Sequence, residues 1–169
     1  MKLWNKVKKK ISLFCVNKIF AGTRPQFWEI KRNLLNASGY TIGKGTRIVG
    51  PLECYAELEI GENCWIGKNL KINGNGQVKI EDNCDIGPEV TFQTGGHEIG
   101  SSERRAGNGV NYSQKVEKGV WIGGRVTIIG NTDIHKGSVI AGGACVVKDV
   151  PENVLSGGVP AKVIRRLEE

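Results

Sequence analysis

The sequence is short of the residues that metal and disulfide chemistry need. It has two histidines, His97 and His135, so a three-histidine catalytic zinc site cannot be assembled within one chain. Its five cysteines (Cys15, Cys54, Cys64, Cys84 and Cys145) are odd in number and form no CxxC pair. A disulfide framework or zinc cluster is therefore not expected; free, largely buried thiols in a reducing compartment are. Acidic residues are absent before Glu29, while Lys2, Lys6, Lys8, Lys9, Lys10, Lys18 and Arg24 precede it. The whole net charge of +7 therefore resides in that arm, and the remainder sums to zero. A nucleic-acid binder carries its basic stripe across the folded face, so no nucleic-acid partner is expected. Long apolar runs are also missing. Ile11–Phe20 is broken by Asn17 and Lys18, and no small-residue cleavage site follows. No stretch approaches the roughly 20 apolar residues of a membrane span. A cytoplasmic protein is expected.

Glycine is abundant instead, with 24 residues, about twice the usual share of roughly 7%. The glycines follow a repeat. Aliphatic residues recur every six positions at Ile42, Ile48, Ile60, Ile66, Ile72 and Val78, with Cys54 filling one slot. The frame slips by two to Ile80, Ile86 and Phe92, then resumes at Val116, Ile122, Ile128, Ile134, Ile140 and Val146. The fourth residue after the aliphatic is small or aliphatic, as at Thr46, Cys64, Val90, Val120, Val126, Thr132, Ser138 and Ala144. A period of six fits neither a helix nor an alternating strand. It fits a solenoid whose short strands turn a corner every hexad, each coil burying the aliphatic side chains of the next. Cys64 and Cys84 take the inward small position and read as core residues.

Two segments flank the repeat and one interrupts it. Residues 1–39 form a basic helical arm, with Trp4, Val7, Ile11, Phe14 and Cys15 along one helical stripe. A second helix is expected over about 26–36, with Phe27, Ile30 and Leu34 on one side. The arm has two readings: it caps the open end of the solenoid, or residues 1–24 lie on an anionic inner membrane surface. The solenoid is assigned to 40–150, with a polar, Gly-rich excursion over 98–115. Residues 151–169 form a tail ending in a short basic segment.

His97 sits at the one irregular corner, and histidine is suited to take a proton from an alcohol near neutral pH. An ordinary polar loop residue is the other reading. His135 stands in a turn slot where glycine is usual and is expected to be exposed.

The hexads, together with Thr94-Gly95-Gly96-His97, Val120-Trp121-Ile122-Gly123, Val139–Ala144, Val146–Pro151 and Gly158–Ile164, resemble the hexapeptide-repeat acyltransferases. The nearest branch is the maltose/galactoside acetyltransferase-like group, which includes surface-polysaccharide O-acetyltransferases. The resemblance covers roughly 42–166. It implies a mainly β fold, a left-handed parallel β-helix with N-terminal helices, assembled as a homotrimer with active sites between subunits. It implies acetyl-CoA as donor and no required metal. His97 matches the family's catalytic base. Gly124, Gly142, Val147, Lys148, Lys162 and Arg165 match cofactor-binding positions. The basic residues suit the phosphates of coenzyme A, although a solvated basic tail is the bland reading, above all for Arg166. Tyr112 matches a recurring loop tyrosine that lines the acceptor site. The family's acceptor-binding asparagine falls on Gly67 here, so Asn69 and Asn75 are the substitutes, although asparagine in such repeats is often a turn residue. Trp121 reads as a packing residue of a corner or subunit interface.

The activity so implied is O-acetylation of a sugar or surface-polysaccharide precursor, by direct transfer with His97 as base. N-acetylation of an amino nucleotide-sugar competes with it, as does, in another class, a non-catalytic β-helix scaffold.

Overall fold

The computed structural model describes residues 2–168, with side chains from Trp4 onward; Met1 and Glu169, assigned above to the arm and the tail, lie outside the described residues. Helix α1 (Lys2–Phe14) runs into one π-turn (Cys15–Ile19), and helix α2 (Phe27–Ala37) follows. Short strands then build a three-faced β-solenoid. The first face holds Thr41–Ile42, Glu57–Ile60, Gln77–Ile80, Ser113–Val116 and Thr132–Ile134. The second holds Arg47–Ile48, Trp65–Ile66, Asp85–Ile86, Trp121–Ile122, Val139–Ile140 and Val154–Gly157, with Lys162–Arg166 at its edge. The third holds Leu52–Cys54, Leu70–Asn73, Thr91–Gln93, Thr127–Ile129 and Cys145–Val146. All stacking is parallel except the final edge, where Lys162–Arg166 runs antiparallel to Val154–Gly157.

The six-residue period is the trace of this stacking. Ile48, Ile66, Ile86, Ile122 and Ile140 lie one above another inside the second face, each essentially buried. Each such isoleucine contributes about 2 kcal/mol relative to leaving it exposed. The small-residue slots, from Thr46 to Ala144, are buried as well. Cys64 and Cys84 are core residues, and their sulfurs approach the carbonyls of Glu81 and Glu117.

The frame slip has a location. Cys54 pairs with Ile72 eighteen residues on, but Glu57 pairs with Gln77 twenty residues on. The two extra residues widen the corner at 73–76, between the third and first faces. One coil later the same corner emits the long excursion, an antiparallel hairpin of Gly95–Ile99 against Ala106–Asn111. It therefore leaves the solenoid at Gly95, earlier than the 98–115 read from the sequence, and Ser113–Val116 is already a strand of the first face. Val154–Gly157 likewise continues the second face, beyond the limit of 150 drawn from the hexads.

The arm closes the first coil with polar side chains. Asn17 pairs with both backbone groups of Leu52, its Nδ2 donating to the carbonyl and its Oδ1 accepting from the N–H, each at 2.8 Å. Asn36 does the same for Ile42, and Arg32 donates to the Thr46 carbonyl. Lys31 is fully buried and donates to the carbonyls of Gly22, Ile48 and Val49 at 2.7, 2.7 and 3.1 Å. These side chains occupy groups that a further strand would otherwise take. The burial faces differ from expectation. In α2 the buried residues are Lys31 and Leu35, while Ile30 is exposed and Leu34 only half-buried. In α1 the buried side is Ser12 and Leu13, continued by Val16 in the π-turn. The expected stripe of Trp4, Val7, Ile11 and Phe14 faces outward.

Candidate active site

His97 lies on the outgoing strand of the hairpin, exposed, with its backbone opposite Gly109. Its Nδ1 is 2.9 Å from the Gly107 carbonyl. A carbonyl only accepts, so the hydrogen bond puts the proton on Nδ1 and leaves the Nε2 lone pair as the ring's acceptor. That is the tautomer a general base requires. A bulge between His97 and Ile99 shifts the register just past His97.

Tyr112 stands at the hairpin's return, half-buried against Gly96. A Cβ built on Gly96 would lie 2.5 Å from the Tyr112 hydroxyl, so the ring settles against the bare backbone of Gly96. Asn75 sits directly below, in the widened corner. With Glu57, Gln77, Tyr112, Ser113 and Asn131 it lines an open groove of about 380 Å³. Asn69 is elsewhere. It is a left-handed turn residue at the corner between the second and third faces. At Gly67 a Cβ would lie 2.7 Å from the Gly87 backbone, so the coil stack leaves no room for an asparagine side chain there.

The candidate cofactor residues fall into two groups. Val147 and Lys148 are exposed just past the third face, on the same corner as the hairpin. Val147 continues the outward column of Gln93 and Ile129, which are paired in register. Gly124 and Gly142 stack on the other edge of the third face, where a Cβ on Gly142 would lie 3.2 Å from the Gly124 carbonyl. Lys162 and Arg165 lie on the exposed edge strand of the second face, which is opposite the hairpin corner in a three-faced prism. Lys148, Lys162 and Arg165 form no ion pair among the described residues, which leaves their charge for phosphate. The apolar Ile129–Val147 column suits a pantetheine arm. The residues thus fit coenzyme A in kind, but in one chain they are divided between two corners. Trp121 is exposed on the second face, in the outward column that continues through Val139 and Leu155 to Arg165.

Gln114 was not singled out by sequence. It stands in the inward column of Leu58, Val78 and Thr132, fully buried. Its Nε2 lies 3.2, 3.2 and 2.9 Å from the carbonyls of Gln93, Ile128 and Gly130. Thr94 braces the same corner from below, its hydroxyl donating to the Asn73 carbonyl and its own carbonyl accepting from the Tyr112 N–H. A glutamine in an aliphatic column was the available signal.

His135 pairs with Glu117 at 3.3 Å, away from the hairpin, and is half-exposed. Among the described residues, no group of three or more His, Cys, Asp or Glu could hold a metal ion, and no helix is long and apolar enough to cross a membrane.

No protein-family model matches the sequence. An Escherichia coli galactoside O-acetyltransferase is 32% identical over 152 residues, 89% of this chain and 75% of that protein. The chain belongs to the hexapeptide-repeat acetyltransferases that use acetyl-CoA. A Saccharomyces cerevisiae relative assigned as an acetyltransferase is 45% identical over 116 residues, 68% of this chain and 58% of its own length. The structure of a Vibrio cholerae hexapeptide-repeat acetyltransferase in complex with acetyl-CoA superposes with a TM-score of 0.83 at 25% identity, covering 98% of this chain and 88% of that one.

Proposed function

We propose that this hexapeptide-repeat acetyltransferase moves an acetyl group from acetyl-CoA to a hydroxyl of a sugar or surface-polysaccharide precursor, with His97 as general base. The division of the candidate residues between two corners carries the reading. A site needing His97 together with Lys162 and Arg165 is completed by a neighbouring subunit's second face, and the resemblance to the hexapeptide-repeat family makes that assembly a homotrimer. Ile99, at the hairpin and 89% exposed, is an apolar contact available to that neighbour. Asn69, remote from His97 within one chain, contributes to an acceptor site only through such an assembly, whereas Asn75 and Tyr112 line the acceptor groove directly.

In the reaction the acceptor oxygen attacks the thioester carbonyl carbon as Nε2 of His97 takes the hydroxyl proton. The carbon–sulfur bond breaks, and the proton passes to the departing thiolate of coenzyme A. Backbone N–H groups or a side-chain amide stabilise the oxyanion. Lys148, Lys162 and Arg165 hold the phosphates, and Gly124 and Gly142 let the pantetheine lie against bare backbone. Holding both substrates together replaces an encounter with a unimolecular step, so no acyl-enzyme is required. We assign the protein to the cytoplasm.

The test is free-thiol release from acetyl-CoA with galactosides, other sugars, nucleotide-sugars and amino nucleotide-sugars. His97→Ala is expected to lower acceptor-dependent release by about 10²–10⁴-fold and to leave acetyl-CoA affinity unchanged. Release confined to amino nucleotide-sugars would make the enzyme an N-acetyltransferase, and unchanged release in the variant would remove His97 from the mechanism.

A further inference from the structure

Helix α1 has two apolar sides, and the solenoid uses one of them. Leu13, with Val16 just beyond the helix, packs into the core, and Ser12 donates to the Leu34 carbonyl at 2.8 Å. Lys9 donates to the Ala56 carbonyl at 3.1 Å and lies over the Tyr40 ring. On the far side Trp4, Ile11 and Phe14 are 63%, 59% and 61% exposed, and Val7 is exposed beside them. At about 100° per residue these four fall within an arc of about 80°. Lys8 borders that arc on the Trp4 edge and Lys10 on the Phe14 edge, both exposed. The Lys8 ammonium is 5.8 Å from the centre of the Trp4 ring. No acidic residue occurs before Glu29 to offset this charge.

We propose that this face of α1 docks in the plane of a bilayer surface rich in anionic phospholipid. The stripe enters the acyl boundary, and Lys8 and Lys10 meet the headgroup phosphates on either side. The chemistry selects lipid. A lone apolar stripe would suit many partners, but one rimmed on both sides by lysines and free of carboxylates matches an anionic apolar boundary. Capping and docking use opposite sides of one helix, so each leaves the other intact. A pocket of about 520 Å³ between α1 and the first coils, lined by Lys6, Lys9, Tyr55, Glu57 and Asn75, shares Glu57 and Asn75 with the acceptor groove. Docking would therefore bring the acceptor groove close to the lipid surface, which suits a lipid-linked glycan.

The proposal rests on the localisation given above but not on the chemistry, and flotation separates the two. The full chain is mixed with vesicles of phosphatidylcholine alone, or of phosphatidylcholine with phosphatidylglycerol, at low and high salt. It is expected to float with the anionic vesicles at low salt and to be released by high salt or by their omission. Ile11→Asp with Phe14→Asp is expected to abolish flotation, and Lys8→Glu with Lys10→Glu to weaken it by at least about tenfold. Both double variants should keep the wild-type circular dichroism and acetyl-CoA affinity. His97→Ala should float like the wild type whatever its activity. The proposal is overturned if the wild type stays unbound with anionic vesicles at low salt, or if the aspartate variant floats equally well. It is also overturned if those aspartates reduce the particle mass in light scattering, because a second copy then covers the stripe.

Discussion

At the scale of single residues, the candidate site turns on what lies beside His97. Gly96 has no side chain because the Tyr112 ring occupies that space. Gly96→Ala is expected to displace the ring and raise the KM for acceptor by about tenfold, the value of one hydrogen bond out of place. Acetyl-CoA affinity, measured by titration, should not change. Tyr112→Phe combined with Gly96→Ala should add little to either alone, since both remove the same hydroxyl from the same place. His97 was visible in the sequence because it stands at the irregular corner, and Tyr112 because it matches a loop tyrosine of the family the sequence resembles. It could not make the Gly107 carbonyl visible, since that partner exists only when the two hairpin strands are in register. Gln114 was missed although it is polar in an aliphatic column. Its role depends on three carbonyls drawn from two different coils, and no local pattern encodes them.

At the scale of elements, the repeat and the two helices of the arm were legible, but the side by which each helix packs was not. Every hexad isoleucine that sequence put inside is inside, because a stacked coil has one interior. A helix that packs by one side offers two candidate sides, and periodicity cannot say which is covered. The α1 stripe was found and its exposure was not. Lys31 was similarly hidden, because a lysine in the second turn of an amphipathic helix reads as solvated. Burial pushes its ammonium down from 10.5 to about 8. Between those pH values the unfolded chain holds a proton that the folded chain has released, so raising the pH through that window favours the folded state. Below about 8 this contribution is constant. The melting temperature of the wild type is therefore expected to rise relative to that of Lys31→Met between pH 8 and 10.5. The comparison cancels Cys54, whose thiol burial raises to about 11, and Tyr40, which burial raises further; both are present in each protein. A gap that stays flat or shrinks with pH would mean that the lysine keeps its proton through its three carbonyls.

At the scale of the whole molecule, the proposed site, divided between separate edges of one chain, requires assembly for activity. Light scattering is expected to give a particle of about three chains, each of 18.4 kDa. Mixing offers a sharper measurement. Oligomers re-formed from His97→Ala and Lys162→Glu/Arg165→Glu chains should regain part of the activity, since some interfaces then pair an intact hairpin with an intact edge strand. No recovery would put both halves of the site within one chain.

The coils also set a length. Parallel strands stack at about 4.8 Å, and the hairpin leaves two coils above the one that α1 and α2 close. With α1 as the foot of the molecule, the height of His97 above that foot is fixed by counting coils, about 10 Å before the hairpin's own reach is added. If α1 docks as proposed, the solenoid is a ruler, and a chain with one coil more or fewer beneath the hairpin would place the same chemistry at a different height above the lipid surface.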